Sequence, residues 1–289
     1  MSIIEPVIRP PSEISSFLLQ ITTGCSSNYC TFCGAYQRKE FRVKDDQEIE
    51  DDIRQWAAVY PSTRKVFLLD GDALVVANRK LVRILKILRE HLPGISRISS
   101  YANGYNVTIR SDAELKELFE NKLKLLYIGL ESGNQDILNT CKKKSTVDEM
   151  IMAVNRMQQI GIKASVIVLL GLGGRQYFKE HVRDTIKVIN KMQPHYLSFL
   201  CLMLIPGTPL YADAKNGKFQ ELEPNELLKQ SYEIIKGLEL KKTVFRSNHA
   251  SNYLSQEGIL PRNKDLLLEM LEKAINGRIS LKPEIFRGL

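Results

Sequence analysis

Three cysteines stand within nine residues near the beginning of the chain, at Cys25, Cys30 and Cys33. They follow an apolar stretch with the character of a β-strand, Phe17 to Ile21. Thiolates bind iron–sulfur clusters and zinc, and closely spaced cysteines on one loop reach a common centre with little loss of loop entropy. A cubane cluster usually takes four cysteine ligands, so three thiols predict a centre with one open position. An open position is typical of a catalytic metal site.

Zinc and a disulfide are the alternatives for these thiols. The residues before the cysteines contain no basic region followed by an apolar one, so they do not resemble a secretory signal, and this disfavours a disulfide. Zinc would need a fourth ligand from a distant part of the chain, for which His249 is a candidate. The triplet favours a cluster but leaves zinc open.

The sequence from Cys30 to Cys33 resembles the cysteine motif of the radical S-adenosylmethionine (SAM) superfamily. That family carries three cysteines on the loop after its first barrel strand, with an aromatic residue just before the last one, where this chain has Phe32. Its commonest spacing places three residues between the first two cysteines, whereas this chain has four, Ser26 to Tyr29. The resemblance implies that the three cysteines hold a [4Fe–4S] cluster whose open iron binds SAM.

Strand and helix signals alternate along the chain and form six β-then-α units. Such units predict parallel strands with right-handed crossovers. Eight units complete a TIM barrel, so six predict an α/β fold that is a partial (β/α)6 TIM-type barrel, the architecture that the resemblance also implies. We expect an N-terminal arm at residues 1–14, the barrel at 15–242, and a C-terminal extension at 243–289 that closes the barrel mouth.

The local patterns give bounds for several elements. They predict helices at Asn78–His91 and Val147–Ile160, strands at Arg97–Ala102 and Lys163–Leu170, and a helix opened by a capping box of Ser111 and Glu114. In the C-terminal extension they predict a strand at Thr243–Arg246, then a loop and a helix.

Acidic residues follow two of the predicted strands, at the ends where barrel active sites lie. Asp70 and Asp72 follow the second strand, and Glu131 and Ser132 follow the fourth. An acid at the end of an apolar run is costly unless it reaches a ligand, a partner or water. A solvated loop or a structural acid remains the alternative at each position.

The resemblance extends to these strand ends and implies a set of cofactor-binding residues. Asp72 aligns with an acid that binds the SAM ammonium group, although Asp70 stands where glycine is usual. Glu131 lies in a Leu-Glu-Ser-Gly sequence that the family carries near the SAM ribose and amino group. The predicted cofactor-binding residues are Phe32 and Gly171 near the adenine, Asp70, Asp72, Glu131 and Ser132 near the polar groups, and Asn103 near the ribose or substrate.

A polar segment in the C-terminal extension supplies the candidate catalytic residues. Arg246, Asn248 and His249 are rich in hydrogen-bond donors and lie where the extension would cover the barrel mouth. A loop that satisfies its own polar groups explains the same residues equally well. Cys141 and Cys201 have no cysteine close to them in the sequence, which argues against a second cluster.

The net charge of +8 is weak evidence for a partner, because the basic residues are mostly spread over helices that expose a solvated face. One concentration, Arg38 and Lys39 with Arg42 and Lys44, follows the cysteines and could dock an acidic electron donor such as flavodoxin or ferredoxin. The apolar runs are too short to cross a bilayer. We therefore expect a cytoplasmic protein without a membrane partner.

The resemblance implies a radical SAM enzyme with a [4Fe–4S] cluster and SAM as cofactors. One electron from the cluster would cleave SAM, and the resulting 5′-deoxyadenosyl radical would abstract hydrogen from a small-molecule substrate. Two alternatives stay open. The same chemistry could modify RNA, although no appended RNA-binding motif is visible, or the chain could be a zinc-stabilised binding protein without catalytic activity.

Overall fold

The structure is a computed structural model and describes residues 3–37 and 39–288. Arg38, one member of the predicted basic concentration, lies outside the described residues. The chain forms two compact units. The first comprises Met1–Tyr29, Cys33–Ile128 and Met152–Ala164, and the second comprises Cys30–Phe32, Gly129–Ile151 and Ser165–Leu289.

The strands within the described residues are short and mostly apolar. They are β1 (Phe17–Leu19), β2 (Thr22–Thr23), β3 (Arg42–Val43), β4 (Lys65–Leu68), β5 (Arg97–Ala102), β6 (Leu123–Glu131), β7 (Lys163–Leu170), β8 (Tyr196–Cys201), β9 (Thr243–Ser247) and β10 (Gln256–Leu260).

The α-helices alternate with these strands. They are α1 (Asp46–Val59), α2 (Asn78–His91), α3 (Gly104–Thr108), α4 (Asp112–Glu120), α5 (Gln135–Thr140), α6 (Val147–Ile160), α7 (Phe178–Met192), α8 (Pro209–Lys215), α9 (Pro224–Gly237) and α10 (Lys264–Ile275). Short 3-10 helices lie at Pro11–Glu13, Ala73–Val75 and Glu284–Phe286.

The first unit is built on parallel strands in the order β1, β4, β5 and β6. Leu19 pairs with Leu68, and Leu68 in turn pairs with Ser100, so the carboxyl ends of these strands lie along one edge. Parallel neighbours need a crossover, and helices α1 and α2 supply it between successive strands. The cysteine segment (residues 24–37) and the acids after β4 therefore follow strands that end side by side.

The second unit contains the parallel strands β7, β8 and β9 and an antiparallel partner, β10. Phe199 and Phe245 from neighbouring strands meet edge to face, with ring centroids 5.0 Å apart, and both are fully buried. The sequence predicted the strand at Thr243–Arg246, which β9 confirms. It predicted a loop where β10 lies, and that prediction was wrong. Gln256–Leu260 contains charge and glycine, and becomes a strand only through its pairing with β9.

Several element boundaries match the sequence-based predictions. Helices α2 and α6 and strands β5 and β7 begin and end where the hydrophobic patterns placed them. The predicted capping box at Ser111 is present, with the Ser111 hydroxyl accepting a hydrogen bond from the Glu114 amide. The described part of the chain holds no helix with both the length and the apolar character of a transmembrane span.

Candidate functional site

The cysteines fall into two groups by exposure. The five cysteines all lie within the described residues and form no disulfide there; Cys25, Cys30 and Cys33 are partly exposed, while Cys141 and Cys201 are buried. Burial raises the pKa of both buried thiols to about 11, which keeps them protonated and poor metal ligands. The three partly exposed thiols have the chemistry that an iron–sulfur cluster requires. Within residues 3–37 and 39–288, no three His, Cys, Asp or Glu side chains are gathered as around a bound metal ion, so the ligand set remains a prediction.

In the first unit, the segment after β4 cradles the residues that lead into Cys25. The Gly24 amide donates to Asp70 Oδ2 at 3.0 Å, and the Gly71 amide donates to the Gly24 carbonyl at 3.2 Å. A Cβ atom on Gly71 would lie 2.5 Å from Cys25 Sγ, so only glycine leaves room for that sulfur. This cradle fits a cysteine held in place to bind a metal centre.

Asp70 is fully buried and its carboxylate is surrounded by donors. Lys39 Nζ lies 3.0 Å from Oδ1, and Gln20 Nε2 donates to Oδ2 at 2.9 Å. Burial raises the pKa of Asp70, and the Lys39 ammonium group opposes that rise. Asp70 adopts a left-handed backbone with φ of 70°, which side chains other than glycine rarely take. Its predicted contact with the cofactor is untested, and its observed contacts are with the protein.

Asp72 is also buried, and neutral groups satisfy its carboxylate. It accepts hydrogen bonds from the amides of Leu74 and Asn103 and from the Asn106 side chain, at 2.6 to 3.1 Å. Burial raises the pKa of Asp72 to about 6. Asn103 in turn donates its side-chain amide to the Ser27 hydroxyl, at 3.2 Å, and so reaches the cysteine segment.

Tyr36 lies within electrostatic reach of several ionisable groups in this part of the first unit. It is buried, and burial raises its pKa, with further contributions from Asp70, Cys25 and Cys33. Its carbonyl accepts a hydrogen bond from the Asn28 side chain at 2.7 Å, which braces the cysteine segment internally. The structure thus brings Cys25, Cys33 and Asp70 within electrostatic reach of one buried phenol.

In the second unit, Glu131 ends β6 with its carboxylate near the surface. It too has a left-handed backbone, with φ of 63°. Lys143 Nζ lies 2.8 Å from Glu131 Oε1, and both side chains keep some exposure, 13% for the acid and 16% for the lysine. Ser132 is fully buried, and its hydroxyl accepts from the Asn134 amide and lies 2.9 Å from His181 Nδ1.

The segment Cys30–Phe32 is anchored within the second unit by its backbone. The Thr31 amide donates to the Cys141 carbonyl at 3.0 Å, and the Leu210 amide donates to the Thr31 carbonyl at the same distance. The Phe32 ring packs against a buried apolar cluster that includes Ile137. Cys141 therefore lies beside Thr31 in space, which its isolated position in the sequence did not indicate.

Four further predicted residues lie in the second unit, after β7 and around the end of β9. The Gly171 amide donates to Gln230 Oε1 at 2.7 Å. Arg246 lies in β9 opposite Glu257 of β10, Asn248 is exposed, and His249 Nδ1 accepts from the Ser251 amide at 3.1 Å. Burial lowers the pKa of His249. The catalytic roles of Arg246, Asn248 and His249 remain predictions.

Sequence reasoning missed the partners that fix these residues. Lys39 and Gln20 hold Asp70, and Lys143 holds Glu131. The sequence indicates Lys39 only as part of a basic concentration that could dock an electron donor, and it does not indicate Gln20 or Lys143 as a partner of an acid. An uncompensated acid at the end of a buried strand is the signal that could have called for a buried or neighbouring lysine.

Comparison with known proteins identifies the family. The sequence model described as the Radical SAM superfamily matches residues 19–189, more than half of the chain. The chain therefore belongs to the radical SAM superfamily. It is an enzyme of that family, whose members use a [4Fe–4S] cluster and SAM. This overturns the alternative of a zinc-stabilised protein without catalytic activity.

Individual relatives differ in what their names say they do. The chain is 25% identical over 250 residues to the GTP 3′,8-cyclase of Clostridium perfringens, covering 85% of this chain and 70% of the relative. It is 30% identical over 219 residues to the tRNA-2-methylthio-N6-dimethylallyladenosine synthase of Hahella chejuensis, covering 69% of this chain and 46% of the relative. The relatives share the family and not one reaction.

Solved structures confirm the fold. Methylornithine synthase aligns with a TM-score of 0.55 at 16% sequence identity, covering 78% of this chain and 63% of that one. The fold is thus the predicted α/β class, a partial TIM-type barrel as in other radical SAM enzymes. This chain spans less than two thirds of that structure and about half of the tRNA-modifying relative.

Proposed function

We propose that this radical SAM enzyme cleaves SAM reductively and abstracts hydrogen from a small-molecule substrate. The observation that carries the proposal is the difference in exposure among the cysteines: the three of the motif are partly exposed, while the two outside it are buried. The cluster, when bound, supplies the electron that converts SAM to methionine and a 5′-deoxyadenosyl radical. We assign Cys25, Cys30 and Cys33 as its ligands.

Within this proposal the protein residues bind and orient the cofactors. Glu131 keeps an accessible carboxylate that is suited to the SAM ammonium group, once Lys143 is displaced. Phe32 provides an apolar surface for the adenine. Its ring packs against a cluster that includes Leu172, and Gly171 follows the carboxyl end of β7. Asp72 and Asn103 hold the loops after β4 and β5 in place. Arg246, Asn248 and His249 stay as candidates for substrate contact.

The substrate class is supported by a relative that matches 85% of this chain and whose name refers to GTP, a small molecule. RNA is the second candidate, favoured by the similarity to a tRNA-modifying synthase. RNA binding would show a steep loss of affinity with rising salt, because phosphate contacts release counterions. Enzymes of this family need an electron donor, and we propose flavodoxin or ferredoxin in a reducing cytoplasm that keeps these thiols reduced.

The test is anaerobic reconstitution with iron and sulfide, followed by SAM and dithionite and assay of 5′-deoxyadenosine. We expect the wild type to form it and Cys30→Ala to form none. Cys201→Ala is the matched control, because it removes a buried thiol in the same unit and should keep both cluster absorbance and cleavage. Equal cleavage by wild type and Cys30→Ala would contradict the ligand assignment, and a colourless wild type that produces none would contradict the reaction.

A further inference from the structure

We propose that Asp70 is a positioning residue that fixes Cys25 through the Gly24 amide, with Lys39 as its buried counter-charge. The inference rests on the proposed function only in taking Cys25 as a cluster ligand. The geometry stands within the first unit, independently of any bound group. It gives a specific role to an acid that stands where the resemblance leads one to expect glycine.

The contact between the segment after β4 and the cysteine segment runs in both directions. The Gly24 amide donates to the Asp70 carboxylate, and the Gly71 amide donates to the Gly24 carbonyl. Gly71 also lies directly against Cys25 Sγ. Both polar groups of Gly24 are therefore bound by two consecutive residues, and the position of the next residue, Cys25, follows from theirs.

Lys39 extends the same network to the other side of the cysteine motif. Its ammonium group lies 2.9 Å from Asp70 Oδ2 and 3.0 Å from Asp70 Oδ1, and it donates to the carbonyls of Ile4 at 2.6 Å and Pro6 at 3.0 Å. The carboxylate and the two carbonyls account for the three donors that a lysine has. Its side chain is only 3% exposed. The acid and the lysine thus join residues before Cys25, residues after Cys33, and the N-terminal arm.

The carboxylate of Asp70 is committed to the protein. Both oxygens lie within 3.0 Å of Lys39 Nζ, and Oδ2 also accepts from Gln20 and Gly24. Its side chain has no exposed surface. A buried ion pair of this kind is costly to assemble, and a strained backbone at the same residue adds to that cost, so the arrangement indicates a specific structural demand.

The first unit offers a matched control, because it contains a second buried lysine–aspartate pair. Lys44 Nζ lies 2.8 Å from Asp52 Oδ2, and both side chains are buried. This pair joins the residue after β3 to helix α1. Its ion pair has the same chemistry as that of Lys39 and Asp70, whereas the amide and carbonyl of Gly24 bind Asp70 and Gly71 instead.

The experiment compares two double variants in the protein without its cluster. Asp70→Asn/Lys39→Met and Asp70→Gly/Lys39→Met both remove the buried charges together, which avoids leaving one charge uncompensated. Asparagine and glycine both tolerate a left-handed backbone. Asparagine keeps an oxygen that can accept from the Gly24 amide, whereas glycine does not. Hydrogen exchange at the Gly24 amide, measured by NMR, is the readout.

We expect Gly24 to exchange about tenfold faster or more in the glycine variant, because its hydrogen bond to a charged acceptor is lost. The asparagine variant should lie between the glycine variant and the wild type. The control Lys44→Met/Asp52→Asn should leave Gly24 exchange unchanged. If the glycine variant does not fold, the asparagine variant is compared with the wild type alone, because its neutral oxygen is a weaker acceptor than the carboxylate and Gly24 should still exchange faster.

Two results would overturn the inference. Wild-type exchange at Gly24 in the acceptor-free variant would show that Asp70 does not hold this amide. Equal acceleration in the control pair would show a general loss of stability.

In reconstituted protein, the electron paramagnetic resonance spectrum of the reduced cluster should change in the glycine variant and be restored in the asparagine variant. Failure of the wild type to cleave SAM would sink the proposed function alone, because Gly24 exchange does not depend on it.

Discussion

Asp70 in the first unit and Glu131 in the second have similar local structures and differ in their exposure to solvent. Each follows or ends a buried strand, each has a left-handed backbone, and each pairs with a lysine at less than 3 Å. Asp70 and Lys39 are almost entirely buried, whereas Glu131 and Lys143 both reach the surface. Exposure is therefore what separates them.

This difference indicates different work for two acids that look alike in sequence. A buried pair cannot exchange partners without leaving a buried charge unpaired, so Asp70 is suited to holding the chain in place. A partly exposed pair contributes little to stability and is readily displaced, so Glu131 is suited to receiving a cationic ligand. The predictions below test this contrast.

The largest expected effect is on stability. Asp70→Asn leaves Lys39 buried without its counter-charge and should lower the free energy of unfolding by about 3 kcal/mol or more. Glu131→Gln should lower it by about 1 kcal/mol or less, because its ion pair is partly solvated. Urea denaturation of the two variants without the cluster measures both values. Equal losses would remove the distinction between a holding acid and a binding acid.

The sequence predicted the acids but not their lysines, and the reason is physical. A strand that ends in an acid is a local pattern, visible in a few residues around Asp70 or Glu131. The partner is set by tertiary contacts, since Lys39 lies 31 positions from Asp70 and Lys143 lies 12 from Glu131. Periodicity and capping signals carry no information at such separations.

The same limit explains which parts of the fold were predictable. Helix α2 and strand β7 have complete local patterns, an amphipathic face and a β-branched run, and their bounds were predicted. Strand β10 has neither and exists through its ladder with β9. The backbone anchors of Thr31, on Cys141 and Leu210, likewise come from residues distant in sequence.

A second effect concerns Asp72, a buried acid whose hydrogen-bond donors are neutral. Its folded-state pKa of about 6 lies above the unfolded value of about 4. Between these values the folded protein retains a proton that the unfolded chain has released, so stability falls as pH rises. Relative to Asp72→Asn, the wild type should lose about 2 to 3 kcal/mol of unfolding free energy from pH 4 to pH 6.5.

Urea denaturation of both proteins at these two pH values checks this, and contributions from all other groups cancel in the difference. Parallel changes in wild type and Asp72→Asn would mean that the folded-state pKa of Asp72 is not raised, so that Asp72 is ionised over most of this pH range. It would then share the charged state that we assign to Asp70, and the counter-charge on Lys39 would no longer distinguish the two acids after β4.

The third effect concerns cofactor affinity and acts on Glu131 alone. Glu131→Gln should weaken SAM binding to the reconstituted protein about tenfold, because a charged hydrogen bond to an ammonium group is lost. Cluster absorbance should not change. Isothermal titration under anaerobic conditions measures the dissociation constant, and unchanged affinity would end the assignment of Glu131 to SAM.

Lys143→Met gives the smallest and most discriminating effect. In the free protein Lys143 occupies the carboxylate that we assign to the SAM ammonium group, so it competes with the ligand for Glu131. Removing it should tighten SAM binding by a few-fold, the equivalent of one partly exposed ion pair. Lys144→Met, the adjacent lysine, is the matched control for the change in net charge and should have less effect. Weaker binding in Lys143→Met would show that the lysine orients Glu131 for the ligand, so that the second pair, like that of Asp70 and Lys39, serves to hold.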